Sequence, residues 1–171
     1  ALCYPNTHAV GMANLGMHTM YELFNQIPEV ACERVFLPDD FELKEYEKSG
    51  TPLLSLETNT PVKDFDVVAF SISFETDYLN MARMLRLAQI PVWAKDRNHF
   101  HPLVVMGGAA SFLNPEPIAD FTDIIAVGDG VDGRAAVGVA ARSFVPVFAQ
   151  MIVFAEIPRV IPFVFFVFGL R

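Results

Sequence analysis

Asp66-Val67-Val68-Ala69-Phe70-Ser71-Ile72-Ser73 is the stretch whose reading decides the fold. A half-exposed strand alternates apolar with polar residues. The unbroken Val-Val-Ala-Phe run instead belongs to a strand buried on both faces, as inside a parallel sheet with helices on either side. Downstream, residues 102–106 repeat the pattern and stop at Gly107-Gly108. Residues 123–127 repeat it again and stop at Gly128-Asp129-Gly130. Upstream, residues 1–4 read as the end of a buried strand, and 32–37 as another, closed by Pro38-Asp39-Asp40.

Helical stretches fall between these strands. Met12, Leu15, Thr19, Met20, Leu23 and Phe24 lie near helical spacing within residues 12–26. A short charged helix is expected over 41–48, closed by Ser49-Gly50. Thr76 or Asp77 is expected to cap a helix running to about Ala88, with Leu79, Met84 and Leu87 inward. Met17, Met20, Met81 and Met84 read as core. Residues 5–10 read as a loop, and 52–56 as a minor edge strand. Strands alternating with helices at this spacing predict a flavodoxin-like (Rossmann-like) three-layer α/β sandwich. Its sheet is expected to hold five parallel strands in the order 2-1-3-4-5.

The 171 residues are 53% apolar and 19% charged, enough for one domain with a sizeable core. The net charge of −8 argues against sequence-independent binding of nucleic acid, which needs clustered Lys and Arg. Cys3 and Cys32 are too few for a disulfide framework or a four-thiolate metal site, and read as small buried residues. No secretory signal is visible. The apolar window 151–170 is broken by Glu156, Pro158, Arg159 and Pro162, which argues against a spanning helix. The expectation is a soluble, cytoplasmic domain over 1–130. Residues 131–171 are expected to be a helical, apolar extension of it, suited to packing on a neighbouring domain or a second copy of the chain.

Open α/β sheets take ligands at the carboxyl ends of their strands. Three such ends carry distinctive residues: Asn6-Thr7-His8-Ala9-Val10-Gly11, Ser71-Ile72-Ser73, and Gly107-Gly108. A loop histidine can offer a ring nitrogen to a metal while a neighbouring acceptor orients the ring. Gly11 would permit close ligand approach, and short hydroxyls at 71 and 73 would line a slot without filling it. Each residue also has an ordinary reading: a polar loop histidine, an Asn turn, satisfied hydroxyls, a glycine chain reversal. His99-x-His101 lacks a third ligand at supporting spacing and reads as a solvated loop. Ser71 and Ser73 stand where a phosphoacceptor aspartate would be needed, against a receiver domain.

Asn6-x-His8-x-x-Gly11 resembles the Asp-x-His-x-x-Gly loop of cobalamin-binding domains. Ser71-x-Ser73 stands in the place of their Ser-x-Leu, and Gly107-Gly108 in that of their Gly-Gly. Residues 107–116, followed by 123–130, resemble the N-terminal B12-binding-like domain of B12-type radical SAM proteins, and Tyr4-Pro5-Asn6 with residues 11–16 resembles an uncharacterised branch of these iron–sulfur oxidoreductases. The resemblance implies cobalamin on the strand ends, with His8 coordinating cobalt and Asn6 steadying its ring. The nucleotide tail would enter a slot near Ser71, Ser73, Gly107 and Gly108, and Gly11 would belong to the same site. An aspartate at position 6 would hold the imidazole more strongly. No Cys-x-x-x-Cys-x-x-Cys occurs in the chain. S-adenosylmethionine and the 4Fe-4S cluster are therefore expected only in a partner radical SAM domain of the full-length protein. Two other classes stay open: a degenerate domain that binds no cofactor and serves docking or substrate recognition, and a flavin-binding relative. The second lacks a Ser/Thr-rich phosphate loop after the first strand.

Overall fold

The computed structural model describes residues 1–126. Five strands form one all-parallel sheet: β1 (Leu2–Tyr4), β2 (Arg34–Phe36), β3 (Val67–Ser71), β4 (Leu103–Gly107) and β5 (Ile124–Ile125). Their order is β2-β1-β3-β4-β5, the expected flavodoxin-like arrangement. Five α-helices connect them: α1 (His8–Gly11), α2 (Leu15–Asn25), α3 (Asp40–Ser49), α4 (Tyr78–Leu87) and α5 (Ala109–Leu113).

The β3 run is buried at Val68 and Phe70 and half-buried at Val67 and Ala69, with apolar packing on both faces. Val68, Phe70 and Ile72 face one side, packed with Val104 and Met106 of β4 and with Met81, Met84 and Leu85 of α4. On the other side Leu2, Tyr4 and Ala69 meet Met17, Met20, Tyr21 and Phe24 of α2. Each large side chain so buried contributes about 1.5–3 kcal/mol. Beyond Leu103, β5 is tied to β4 by polar bonds. Arg97, with a side chain only 3% exposed, grips both carboxylate oxygens of Asp123 at 3.1 Å, and Asp123 accepts the Val104 N–H at 2.8 Å.

Helix α3 is bounded by local chemistry. Asp39 accepts from the N–H groups of Phe41 and Glu42, and Glu42 returns a bond to the Asp39 N–H. Such a box contributes about 1 kcal/mol. Gly50 ends the helix in a left-handed conformation at φ 67°.

Four local expectations are corrected. His8 to Gly11 form a helical turn where a loop was expected; one turn is too short to show periodicity. Residues 52–56 make only an isolated antiparallel bridge, Leu54 to Pro61. Leu79 is 82% exposed, because Met81, Met84, Leu85 and Ala88 take the inward face of α4. Asp77 stands at the N-cap of α4 but makes no capping bond. The end of the fifth strand run at Val127, the Gly128-Asp129-Gly130 turn and the extension 131–171 lie outside the described residues. Among the described residues no helix is long and apolar enough to cross a membrane. Cys3 and Cys32 are free and buried, and burial pushes their thiols up to about 12 and about 11. Both stay as inert thiols at neutral pH.

Candidate functional site: the crevice between two strand ends

Strand order reverses at β1: the chain leaves it toward β2 on one side, and β3 pairs on the other. The carboxyl ends of β1 and β3 therefore form the topological switch point of the sheet. Two polar clusters bridge this crevice. In the first, the Asn14 amide donates to Ser73 Oγ at 3.1 Å and to Tyr4 Oη at 3.3 Å. The Tyr4 hydroxyl in turn donates to Ser73 Oγ at 3.4 Å. Asn14 can hold this position because it is the N-cap of α2, its carbonyl oxygen accepting the Met17 N–H at 2.9 Å.

In the second cluster, Asn6 Nδ2 donates to Asp77 Oδ1 at 3.1 Å, and Asn6 Oδ1 accepts the Thr7 N–H at 2.9 Å. Asn80 Nδ2 donates to the Pro5 carbonyl at 3.0 Å. Asp77 is a buried acid, and among the described residues Oδ2 of its carboxyl has no close hydrogen-bond partner. Burial pushes this carboxyl above the usual carboxylate range, only partly offset by the Asn6 and Asn80 amides.

The residues singled out in the sequence divide between this crevice and its surroundings. Asn6 and Ser73 lie in it. His8 opens α1 just beyond β1, is exposed, and rests edge-on against the Phe36 ring at 5.0 Å between centroids. Among the described residues nothing hydrogen-bonds its ring nitrogens. Both ends of the Asn6 amide are engaged elsewhere, so Asn6 does not steady the His8 ring in this structure. Its identity has another reason: an aspartate at position 6 would set a second carboxylate against Asp77. Gly11 closes α1, and a Cβ there would collide with the Phe36 ring. Glycine is thus required for seating α1 on β2.

Ser71 pairs with Gly107 across β3 and β4, as the strand order predicted. Gly107 has room for a Cβ, which would make only ordinary contact with Ala126 at 3.8 Å. Gly108 does not open onto a slot. It sits at φ 102°, ψ −177°, where an added Cβ would come within 2.5 Å of the Ile72 carbonyl oxygen. The Ile72 N–H bonds to the Gly107 carbonyl, and the Ile72 carbonyl accepts from Ala110. The β3–β4 lip is therefore sealed by backbone. Tyr4, Asn14, Asp77 and Asn80 were not singled out as site residues. Asn14 carried a usable signal, an Asn immediately before an apolar helical run. Asp77 carried none beyond its place at the start of α4.

Comparison with known proteins gives the family. The family described as "Radical SAM proteins, N-terminal" matches residues 16–141, more than two-thirds of the chain. The chain belongs to that family of N-terminal regions. It is also 23% identical over 129 residues to the uncharacterized protein MJ0966 of Methanocaldococcus jannaschii. That match covers 75% of this chain and 23% of the relative, so the chain spans about a quarter of that protein's length. No solved structure matches.

Proposed function

We propose that this radical SAM N-terminal module binds cobalamin over the carboxyl ends of β1 and β3. The observation that carries the reading is His8, exposed just beyond the carboxyl end of β1 with its ring nitrogens not engaged by the described residues. A bound cobalamin would supply a cobalt centre, and His8 would hold it through an imidazole nitrogen. Phe36 supports the ring from below by an edge contact, in place of the acceptor expected from Asn6. Ser71 and Ser73 supply hydroxyls beside the β1–β3 gap. Gly107 has room for a Cβ beside Ala126, while Gly108 serves the backbone seal. The radical SAM chemistry, with its S-adenosylmethionine and 4Fe-4S cluster, belongs to a partner domain of the longer protein.

Mixing the protein with hydroxocobalamin or FMN, desalting, and recording spectra tests this directly. Cobalamin absorbance should travel with the protein and FMN should not. Loss of both colours contradicts the reading.

That loss would favour a second reading, a docking domain without a cofactor. Val10, Leu15, Phe74, Leu79 and Leu113 are exposed apolar residues, all in segments that follow the carboxyl ends of β1, β3 and β4. Such a rim suits a face covered by the partner radical SAM domain. The same rim can also border a cofactor, so the colour test decides between the two.

A further inference from the structure

Among the described strands, β2 is an outer one, paired with β1 on one side only. The outward main-chain groups of such a strand are a template for one more strand, and a second copy of the chain presents the same template. Here the outward N–H and C=O of Arg34, at the start of β2, are both taken. The Leu56 N–H donates to the Arg34 carbonyl at 2.8 Å. Glu57 Oε2 accepts the Arg34 N–H at 2.7 Å, and its Oε1 accepts from Nε of the Arg34 side chain, also at 2.7 Å. One carboxylate thus covers the edge, and the guanidinium of the same residue holds it there.

The segment that carries Leu56 and Glu57 is fastened a second time. Residues 54–61 fold back through the Leu54–Pro61 bridge, with the Ser55 N–H bonded to the Thr60 carbonyl at 2.9 Å. Ser55 Oγ donates to the Glu33 carboxylate at 2.6 Å, and Thr58 Oγ1 donates to it at 2.8 Å. Glu33 is itself tied to the sheet, its carbonyl accepting the Leu2 N–H at 2.7 Å. Most of these bonds to residues 33 and 34 therefore come from polar side chains. The Arg34–Glu57 pair is partly exposed, and a pair of that kind holds a segment without locking it.

We propose that residues 54–61 are an edge strap that keeps β2 from pairing with β2 of a second copy, Glu57 being its clasp. Release of the strap exposes the Arg34 N–H and C=O. Two copies then meet edge to edge about a two-fold axis, with the β2 strands antiparallel. The proposal is independent of the cobalamin reading.

The test follows hydrogen exchange at the Arg34 amide in the full chain, beside sedimentation velocity at low and high protein concentration. Glu57→Ala should speed exchange of that amide about tenfold, while the Val68 and Phe70 amides of the central strand keep their wild-type rates. Glu57→Gln keeps a carbonyl acceptor for the N–H and should restore most of the protection. The combined variant Ser55→Ala, Glu57→Ala, Thr58→Ala frees the whole segment. It should form dimers at concentrations where the wild type does not gain mass, and Arg34 should regain protection as they form. Unchanged Arg34 exchange in Glu57→Ala overturns the clasp. Association of the combined variant no stronger than that of the wild type, with its central-strand amides still protected, overturns the pairing. Dimers that leave the Arg34 amide unprotected overturn it too, because the contact then lies elsewhere.

Discussion

The two lips beside β3 are built in opposite ways. Between β3 and β4, the chain is closed by main-chain bonds, with Ile72 held by Gly107 and Ala110, and Gly108 pressed against it. Between β1 and β3, the bridging groups are side chains: Asn6 to Asp77, and Asn14 and Tyr4 to Ser73. A backbone seal resists substitution but offers nothing to a ligand. A side-chain bridge can exchange its partners for those of an incoming molecule. The contrast makes the Gly-Gly turn a structural device and leaves the switch point as the place where the proposed ligand would meet side chains.

Substitution at the two glycines should expose the seal most strongly. Gly108→Ala puts a Cβ against the Ile72 backbone at a φ that side chains rarely adopt. Strain and overpacking together should cost about 3–5 kcal/mol in urea unfolding. Gly107→Ala, whose Cβ would make only ordinary contact with Ala126, should stay within about 1 kcal/mol of wild type. Equal costs would mean that the lip is not sealed by backbone.

The side-chain bridge should respond to charge. Asn6→Asp replaces the amide donor to Asp77 with a second carboxyl. It should lower stability at neutral pH by about 1–3 kcal/mol, with the loss shrinking in acid as the pair takes up a proton. This is the reverse of the firmer histidine grip that an aspartate in the family motif would imply. A stable Asn6→Asp protein at pH 7 would break the Asn6–Asp77 assignment.

A smaller effect follows from Asp77 itself. Its folded-state carboxyl is raised by burial above the unfolded value, so it stabilises the fold fully below the usual carboxylate range. That contribution is lost as pH rises through the raised value. Asp77→Asn should remove this part of the pH dependence, flattening the urea midpoint from about pH 4 upward. An unchanged profile would show that Asp77 is not titrating in this window.

Strand order was legible because burial on both faces leaves an unbroken apolar run, and 66–73, 102–106 and the start of the 123–127 run each sit on a strand of the sheet. Helix α1 was not, since a single turn has no period to detect. Leu79 misled because helical spacing marks a face without saying where the sheet ends beneath it. The site was legible only by segment. His8, Ser73 and Asn6 were placed at the right strand ends, but the Asn6–Asp77 bond joins residues 71 apart and leaves no local trace. Glycine at 107 and at 108 looks alike in sequence. Only the chain path shows that a Cβ fits at one and would strike a carbonyl at the other.

The central claim is that His8 holds a cobalamin cobalt over the β1–β3 crevice. Electron paramagnetic resonance of the protein mixed with cob(II)alamin tests it most directly. The account predicts hyperfine coupling to one protein nitrogen, seen with 15N-labelled protein and absent in His8→Ala, while the variant keeps wild-type thermal unfolding because the His8 ring is exposed. The same nitrogen coupling in His8→Ala, or none in the wild type, would contradict it.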